Sequence, residues 1–550
     1  MRFLKSRARE FYLPLLLLIL LLAVAAALPP APVWITDSGN KSLILSNLAD
    51  HGSGAFHHPV PELFPYCGFH FQRLPDGEIR SFFPETLAAA TLPFQQWFGD
   101  AAVSLLPMLA ATLIVFFTLK LSRDRLFPVL ALVCASPLIF YAVQMWEMLP
   151  AAALVTAAAW CFLRGEPLGA GLIFGCGVWM REELYVLGAA FGVALLLLRR
   201  VRDLSVFALG AAVPVLILWT VNLRTYGHIL GLHGGTYFLN NRPTGGGAVR
   251  WSDFGFNYFQ QLLRFDTAGR YSVWLTAGAA ALNFIAGCAP DFRSWRRFRI
   301  AAETAAAAAG LILIRGLYRS NDPLLVSGVT AGVLFAFPAT IPVLAHWRAL
   351  LRTPRSEVRL TALTVFLFLL TFPLFLNARD IGLTWSSRHC IVVMPLLALL
   401  SGFALKSAGM FRKPWLPAVV VAPGWSAQIW ALCALFAVSH RTLALENKLR
   451  EAPGEVIVSD VFFLPEMTPR AMRHKLWLEA TDSRRTAILL DYLQTAGINR
   501  FTLVLSPRYR RLPNAALERI LRHYPPAAPP ETYNITGNIG VIVADCKKTP

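Results

Sequence analysis

Seven side chains in this 550-residue chain have the type and setting to do chemistry: Asp37, Arg80, Glu147, Arg181, Glu183, Arg388 and His389. A carboxylate fixed at a surface by a helix end can take the proton of an attacking hydroxyl, and Asp37 in W-I-T-D-S-G has that placement. Asp followed by Ser is equally a good helix N-cap. Glu147, in M-W-E-M, is the second acid; its plainer reading is a solvated glutamate beside an interfacial Trp146. Arginine offers a planar fork that suits phosphate oxygens. Arg80 stands in G-E-I-R-S-F-F-P-E, and Arg388 precedes His389 in L-T-W-S-S-R-H; either arginine could instead snorkel to headgroup level. Arg181, Glu182 and Glu183 interrupt an apolar run, where they serve a site or only pair with one another. His57, His58 and His70 with Glu62 match no zinc-ligand spacing, so no metal site is expected there. No G-x-x-x-x-G-K-[ST] phosphate cradle occurs. No cofactor is expected, and a divalent metal is compatible with these residues but not indicated by them.

The elements that must hold these residues are membrane spans. The chain is 56% hydrophobic and only 15% charged, with a mean hydropathy of +0.52, which excludes an ordinary soluble enzyme. Apolar runs predict about thirteen spans, near 11–29, 101–119, 127–142, 148–163, 168–180, 184–198, 204–221, 271–289, 300–316, 323–343, 360–376, 390–405 and 416–438. A net charge of +19 would suggest nucleic acid in a soluble chain. Here 22 lysines and arginines fall in loops on one side of those spans, among them Lys120, Arg164, Arg199, Arg355 and Lys406. The opposite loops, around Gln144–Glu147, Arg319 and Arg379–Arg388, hold few. The positive-inside rule then places the N-terminus in the cytoplasm and the C-terminus outside. Nucleic acid is not expected as a partner; membrane lipids are.

Segment 168–198 tests that parity. Read as one helix, it inverts every later loop; read as two short helices turning at W-M-R-E-E-L, it keeps the cations on one face. The second reading is adopted, and it sinks the charged turn into a hydrated cavity. Two long outer loops follow, at about 30–100 and 222–270. The first contains a stretch after Asp37 (Leu43, Ile44, Asn47, Leu48) whose spacing suits an interfacial amphipathic helix. The composition changes after about 445: E-V-I-V-S-D and R-F-T-L-V-L-S read as strands, S-R-R-T-A-I-L-L-D-Y-L-Q-T-A-G and L-P-N-A-A-L-E-R-I-L-R-H-Y as amphipathic helices. The fold class expected is mainly α, a polytopic helical bundle over 1–444 with a small soluble α/β domain over 445–550. Six of the eight cysteines lie in or beside apolar runs; a Cys67–Cys546 bond is weakly supported. The sequons at Asn40 and Asn534 read as chance.

Taken in order, these pieces resemble the GT-C glycosyltransferases, the nearest being bacterial relatives of the protein O-mannosyltransferases and of the lipid A aminoarabinose transferase. Asp37, followed by D-G-E-I-R-S-F-F-P-E-T-L-A-A-A-T-L-P-F-Q-Q-W-F-G, is similar to the family's first aspartate and its K/R-x-x-P-P block. Trp146-Glu147 resembles the second acidic motif, G-V-W-M-R-E-E-L the R-P-E segment, and N-L-R-T-Y-G-H-I-L-G an N-x-x-x-Y/F-G-x-x-x-G segment. L-T-W-S-S-R-H-C-I-V-V-M-P-L-L-A-L-L resembles a W-x-x-R-Y-x-x-P-x-x-P-L-L block, and G-E-V-I-V-S-D-V-F-F-L-P-E the opening of the C-terminal domain. Each motif is short; their order is the specific feature. Two positions depart: Glu85 stands where a second proline is usual, and Glu182 replaces the proline of R-P-E.

The resemblance implies an inverting glycosyltransferase at the periplasmic face of a bacterial inner membrane. A sugar would pass from a polyprenyl-phosphate donor to a lipid, glycan or protein acceptor. Asp37 would be the base, Glu147 would orient acceptor or sugar, Arg80 and Arg388 would neutralise the leaving phosphate, and Arg181, Glu183 and His389 would complete the lipid-phosphate site. The rival readings are a transporter or flippase of lipid-linked or small solutes, and an inactive scaffold of the same fold. Paired inverted halves, the mark of many transporters, are not seen.

Overall fold

The computed structural model describes residues 2–30, 33, 36–65, 70–122, 126–234, 332–375, 388–409, 411, 415–507, 512–536 and 539–549. In chain order its principal helices are α1 (Arg2–Ala27), α2 (Thr36–His51), α3 (Thr86–Phe98), α4 (Leu105–Ser122), α5 (Leu126–Ala135), α6 (Leu138–Ala142), α7 (Met148–Leu163), α8 (Pro167–Val178), α9 (Glu183–Leu197) and α10 (Val201–Tyr226). There follow α11 (Ser356–Thr371), α12 (Met394–Ser407), α13 (Trp415–Glu451), α14 (Leu464–Met467), α15 (Pro469–His474), α16 (Ser483–Thr495) and α17 (Asn514–His523). The chain divides into two compact units. Of the described residues, those within 2–24 and 105–433 belong to the first and those within 25–104 and 434–549 to the second.

The long apolar helices are those a bilayer demands. Among the described residues, six are long and apolar enough to cross a membrane, and four more, α5, α7, α8 and α9, are apolar but shorter. Leu209, Leu216 and Ile217 on α10, like Leu15, Leu16 and Ile19 on α1, are exposed, with no partner burying them among the described residues; lipid is the medium that fits. This is a multi-pass membrane protein. The expected spans at 271–289 and 300–316, the first part of that at 323–343 (residues 323–331), and the loop beyond residue 234 lie outside the described residues.

Two expectations need correction. The run 127–142 is not one helix: Ser136 and Pro137 end α5, and Pro137 cannot supply the amide a continuing helix needs. The described end of 323–343 is also broken, into short helices Val333–Ala336 and Thr340–Ala345 on either side of Pro338. The two-helix reading of 168–198 is correct, with α8 and α9 separated by the turn that carries Arg181. Small residues let α8 approach α10: a Cβ on Gly171 would lie 2.1 Å from the Phe207 carbonyl oxygen, and one on Gly210 2.3 Å from that of Leu168.

In the second unit, strands β3 (Val456–Ser459), β4 (Leu476–Glu479), β5 (Arg500–Leu505), β6 (Glu531–Thr536) and β7 (Ile539–Lys547) form one sheet in the order β4-β3-β5-β7-β6. The β4, β3 and β5 pairings are parallel and the rest antiparallel. Both faces are covered, which is why V-I-V and F-T-L-V-L are nearly unbroken apolar runs. Val456, Val458 and Leu503 pack with Leu489 and Leu493 of α16 and Ile520 of α17. Ile457 and Val504 pack on the other side with Leu445 and Leu449 of α13 and Leu464 and Met467 of α14. A hairpin of β1 (Phe71–Arg73) and β2 (Ile79–Ser81) belongs to the same unit.

Helix α2 is not an interfacial helix. Its first turns, Asp37 through Leu45, are buried without a break, and α3, α14 and α15 pack around it. The contact with α14 leaves no room at Gly39, where an added Cβ would stand 1.4 Å from the backbone oxygen of Glu466. Backbone cannot yield as a side-chain tip can. Gly39→Ala is therefore expected to push α2 off α14 and cost roughly 3 kcal/mol, at the upper end of overpacking; thermal unfolding of the full chain would read it, and an unchanged transition would refute this packing.

Candidate active site

In the membrane unit five of the expected residues come together. The Arg181 guanidinium reaches Glu147 at 2.5 Å and pairs with both oxygens of Glu183, its Nε lying 2.8 Å from Oε2. His389 Nδ1 meets the same Glu183 carboxylate and lies 3.1 Å from an Arg181 Nη, while its Nε2 lies 3.4 Å from Arg388 Nε. All five side chains are buried. Local structure explains the convergence. Glu147 immediately precedes α7, Glu183 lies in the first turn of α9, and Arg388 and His389 open the 3-10 turn Arg388–Val393 that leads into α12. Carboxylates at helix N-termini are favoured by the unpaired amides there. Two arginines stand against two glutamates, so the charges of these four ions sum to zero, a condition under which buried ions are tolerated. Glu182, one residue away, is only half-buried.

Asp37 and Arg80 belong to the second unit. Asp37 is not an N-cap: it falls inside the first turn of α2, which begins at Thr36. Positions 37, 40 and 41 share one helix face, and all three side chains there, Asp37, Asn40 and Lys41, are buried. Asn40 donates to Glu466 at 2.6 Å and accepts from Ser81 at 2.6 Å. His70 Nδ1 lies 2.9 Å from the same Glu466. Lys41 Nζ stands 4.5 Å above the Phe83 ring. Arg80 is held by two carboxylates, Glu85 at 2.8 Å and Glu78 at 2.9 Å. So Glu85 neutralises Arg80 together with Glu78.

Glu466, Asn40 and Lys41 were missed from sequence. Glu466 ends the quoted block G-E-V-I-V-S-D-V-F-F-L-P-E, and a lone acid after F-F-L-P was the available signal. Burial pushes its pKa up, and the nearby charge of Asp37 adds to this, while His70 and Asn40 oppose it. A carboxyl whose pKa rises on folding binds its proton more tightly in the folded state. Its contribution is full below about 4.5 and is lost as pH rises through the folded value. Glu466→Gln keeps the shape and should therefore melt progressively higher than the parent as pH rises from about 4.5 to 7. A constant offset across that range would contradict the raised pKa.

The histidines considered as metal ligands have separate duties. His58 bonds the carbonyl oxygens of Val60 and Trp477 at 2.7 and 2.9 Å, His70 bonds Glu466, and His57 is exposed. Among the described residues no three His, Cys, Asp or Glu side chains converge as metal ligands. Cys67 lies outside the described residues; Cys546 is buried in the sheet. Asn40 is fully buried, so its sequon is not open to modification.

No family model and no curated protein matches the sequence. Solved structures do. ArnT from Cupriavidus metallidurans in the apo state aligns with a TM-score of 0.52 at 14% identity, over 96% of this chain and 97% of that one. The structure of ArnT bound to undecaprenyl phosphate aligns over the same shares with a TM-score of 0.47 and 16% identity. Over nearly its whole length the chain has the fold of that apo ArnT structure.

Proposed function

We propose that this protein is a membrane glycosyltransferase that moves a sugar from a polyprenyl-phosphate carrier to an acceptor hydroxyl at the extracytoplasmic face, with inversion at the sugar carbon. The observation that supports it most is the Glu147–Arg181–Glu183–His389 cluster: ionisable residues from three distant segments meet, buried, on the ArnT fold. In this reading Asp37 removes the acceptor proton as the acceptor oxygen attacks and the carbon–oxygen bond to phosphate breaks. Arg388 neutralises the departing phosphate, the kind of electrostatic contribution that is usually largest. Arg181, saturated by two glutamates, positions Glu147 and Glu183 and does not bind the donor itself. Arg80 contributes at the phosphate only if Glu78 and Glu85 yield it. No metal takes part.

The test is transfer by the purified chain in liposomes carrying a radiolabelled polyprenyl-phosphate sugar, paired with envelope glycan profiling of a deletion strain. Transfer that persists in EDTA, with accumulation of the lipid-linked sugar in the strain, is expected. Unchanged glycans with altered solute uptake would instead make the protein a transporter.

A further inference from the structure

The cation-rich ends of the membrane helices enclose a cavity of about 490 Å³ that the transfer reaction does not use. It lies where α4 and α7 end and α11 begins, with the C-terminal half of α12 as a wall. Lys120, Arg164 and Arg355 line it, with Glu357 the acid among them. Lys120 is paired with Glu10. Among the described residues neither Arg164 nor Arg355 meets a carboxylate at ion-pair distance. Each guanidinium instead lies against an aromatic face, Arg164 4.9 Å from the Trp160 ring and Arg355 5.5 Å from that of Phe403. Such stacking orients an arginine without cancelling its charge. Two oriented guanidiniums against one glutamate leave the cavity cationic.

A second, narrow slot of about 60 Å³ shares Leu163 and Thr361 with this cavity and is otherwise almost wholly apolar. Phe162, Phe174, Phe191 and Phe207, one each from α7, α8, α9 and α10, wall it in. A charged chamber at the helix ends that shares two wall residues with an aromatic slot between the helices has the polarity profile of one kind of molecule. We infer that this is a binding site for an anionic glycerophospholipid, its phosphate between Arg164 and Arg355 and part of one acyl chain in the slot. Basic pockets between membrane helices are suited to such headgroups. The inference does not depend on the transfer reaction and would hold for a transporter of the same fold.

Native mass spectrometry of the full chain, released from micelles with equal phosphatidylglycerol and phosphatidylethanolamine, tests it. One enriched phosphatidylglycerol adduct is expected. Arg164→Gln with Arg355→Gln should weaken retention about tenfold or more, while Arg202→Gln with Arg352→Gln, an equal charge loss outside the cavity, should leave it intact. Leu163→Trp, which plugs the neck and keeps every charge, should also release the lipid. Excess soluble glycerol 3-phosphate should not displace it. Equal adducts of both lipids, retention in the Arg164/Arg355 pair, equal loss in the outside pair, or displacement by glycerol 3-phosphate would each overturn the assignment.

Discussion

Asp37→Asn is expected to lower the rate of sugar transfer about 10³-fold while the protein folds and inserts normally. General-base catalysis is worth roughly 10²–10⁴, and Asn removes the basic oxygen while preserving volume. The fold should tolerate the change. A first-turn carboxylate stabilises its helix by only about 0.3–1 kcal/mol, and α2 is held chiefly by its packing on α3, α14 and α15. The substitution also removes the like charge that helps raise the Glu466 pKa, so Glu466 should ionise more readily in the variant. Single-turnover assays with a polyprenyl-phosphate sugar separate the possibilities. Equal losses in kcat and kcat/KM mark an interaction made in the transition state; a rise in KM alone would reassign Asp37 to ground-state binding. Turnover within tenfold of the parent would end its role as base.

The helices of the membrane unit were legible because lipid imposes a length and a polarity that apolar runs display directly. The turn at W-M-R-E-E-L could be placed because any other reading moves Arg199, Arg200 and Arg202 to the wrong face. The breaks at Ser136–Pro137 and Pro338 were obscured: a prolonged apolar run looks alike whether one helix or two short ones bury it. The Glu147, Arg181, Glu183 and His389 positions could be singled out, since charge in an apolar setting is costly. Their mutual pairing could not, because residues 181 and 389 are brought together only by the packing of α7, α9 and the turn before α12. The buried setting of α2 was hidden for a related reason. Leu43, Ile44, Asn47 and Leu48 have the spacing of a surface helix, and only the glycine at position 39, pressed on Glu466, betrays a neighbour on the polar side. Arg80 read as a phosphate-facing or snorkelling arginine because its pairing with Glu78 and Glu85 is set by the local fold and not by sequence proximity.

Arg181→Met should be the most destabilising single change in the membrane unit. It leaves Glu147 and Glu183 buried, like-charged and without their shared counter-ion, and breaking a buried pair from one side costs about 3–5 kcal/mol. The apparent melting temperature in detergent should fall by roughly 10 °C. Lysine is no substitute, because one ammonium cannot span two carboxylates as the guanidinium fork does. Replacing the whole set, with Glu147→Gln, Arg181→Met and Glu183→Gln together, removes the orphaned charges and should recover most of the lost stability. That neutral variant then decides what the cluster is for. If it is stable and inactive, the charges serve the reaction, and His389 has lost the carboxylate that orients it toward Arg388. If it is stable and active, Arg181 and its glutamates only hold α7 and α9 together, and chemistry in this unit falls to Arg388. A parent-like melt for Arg181→Met would mean that water reaches the cluster and that its closure into a buried neutral set is not what maintains it.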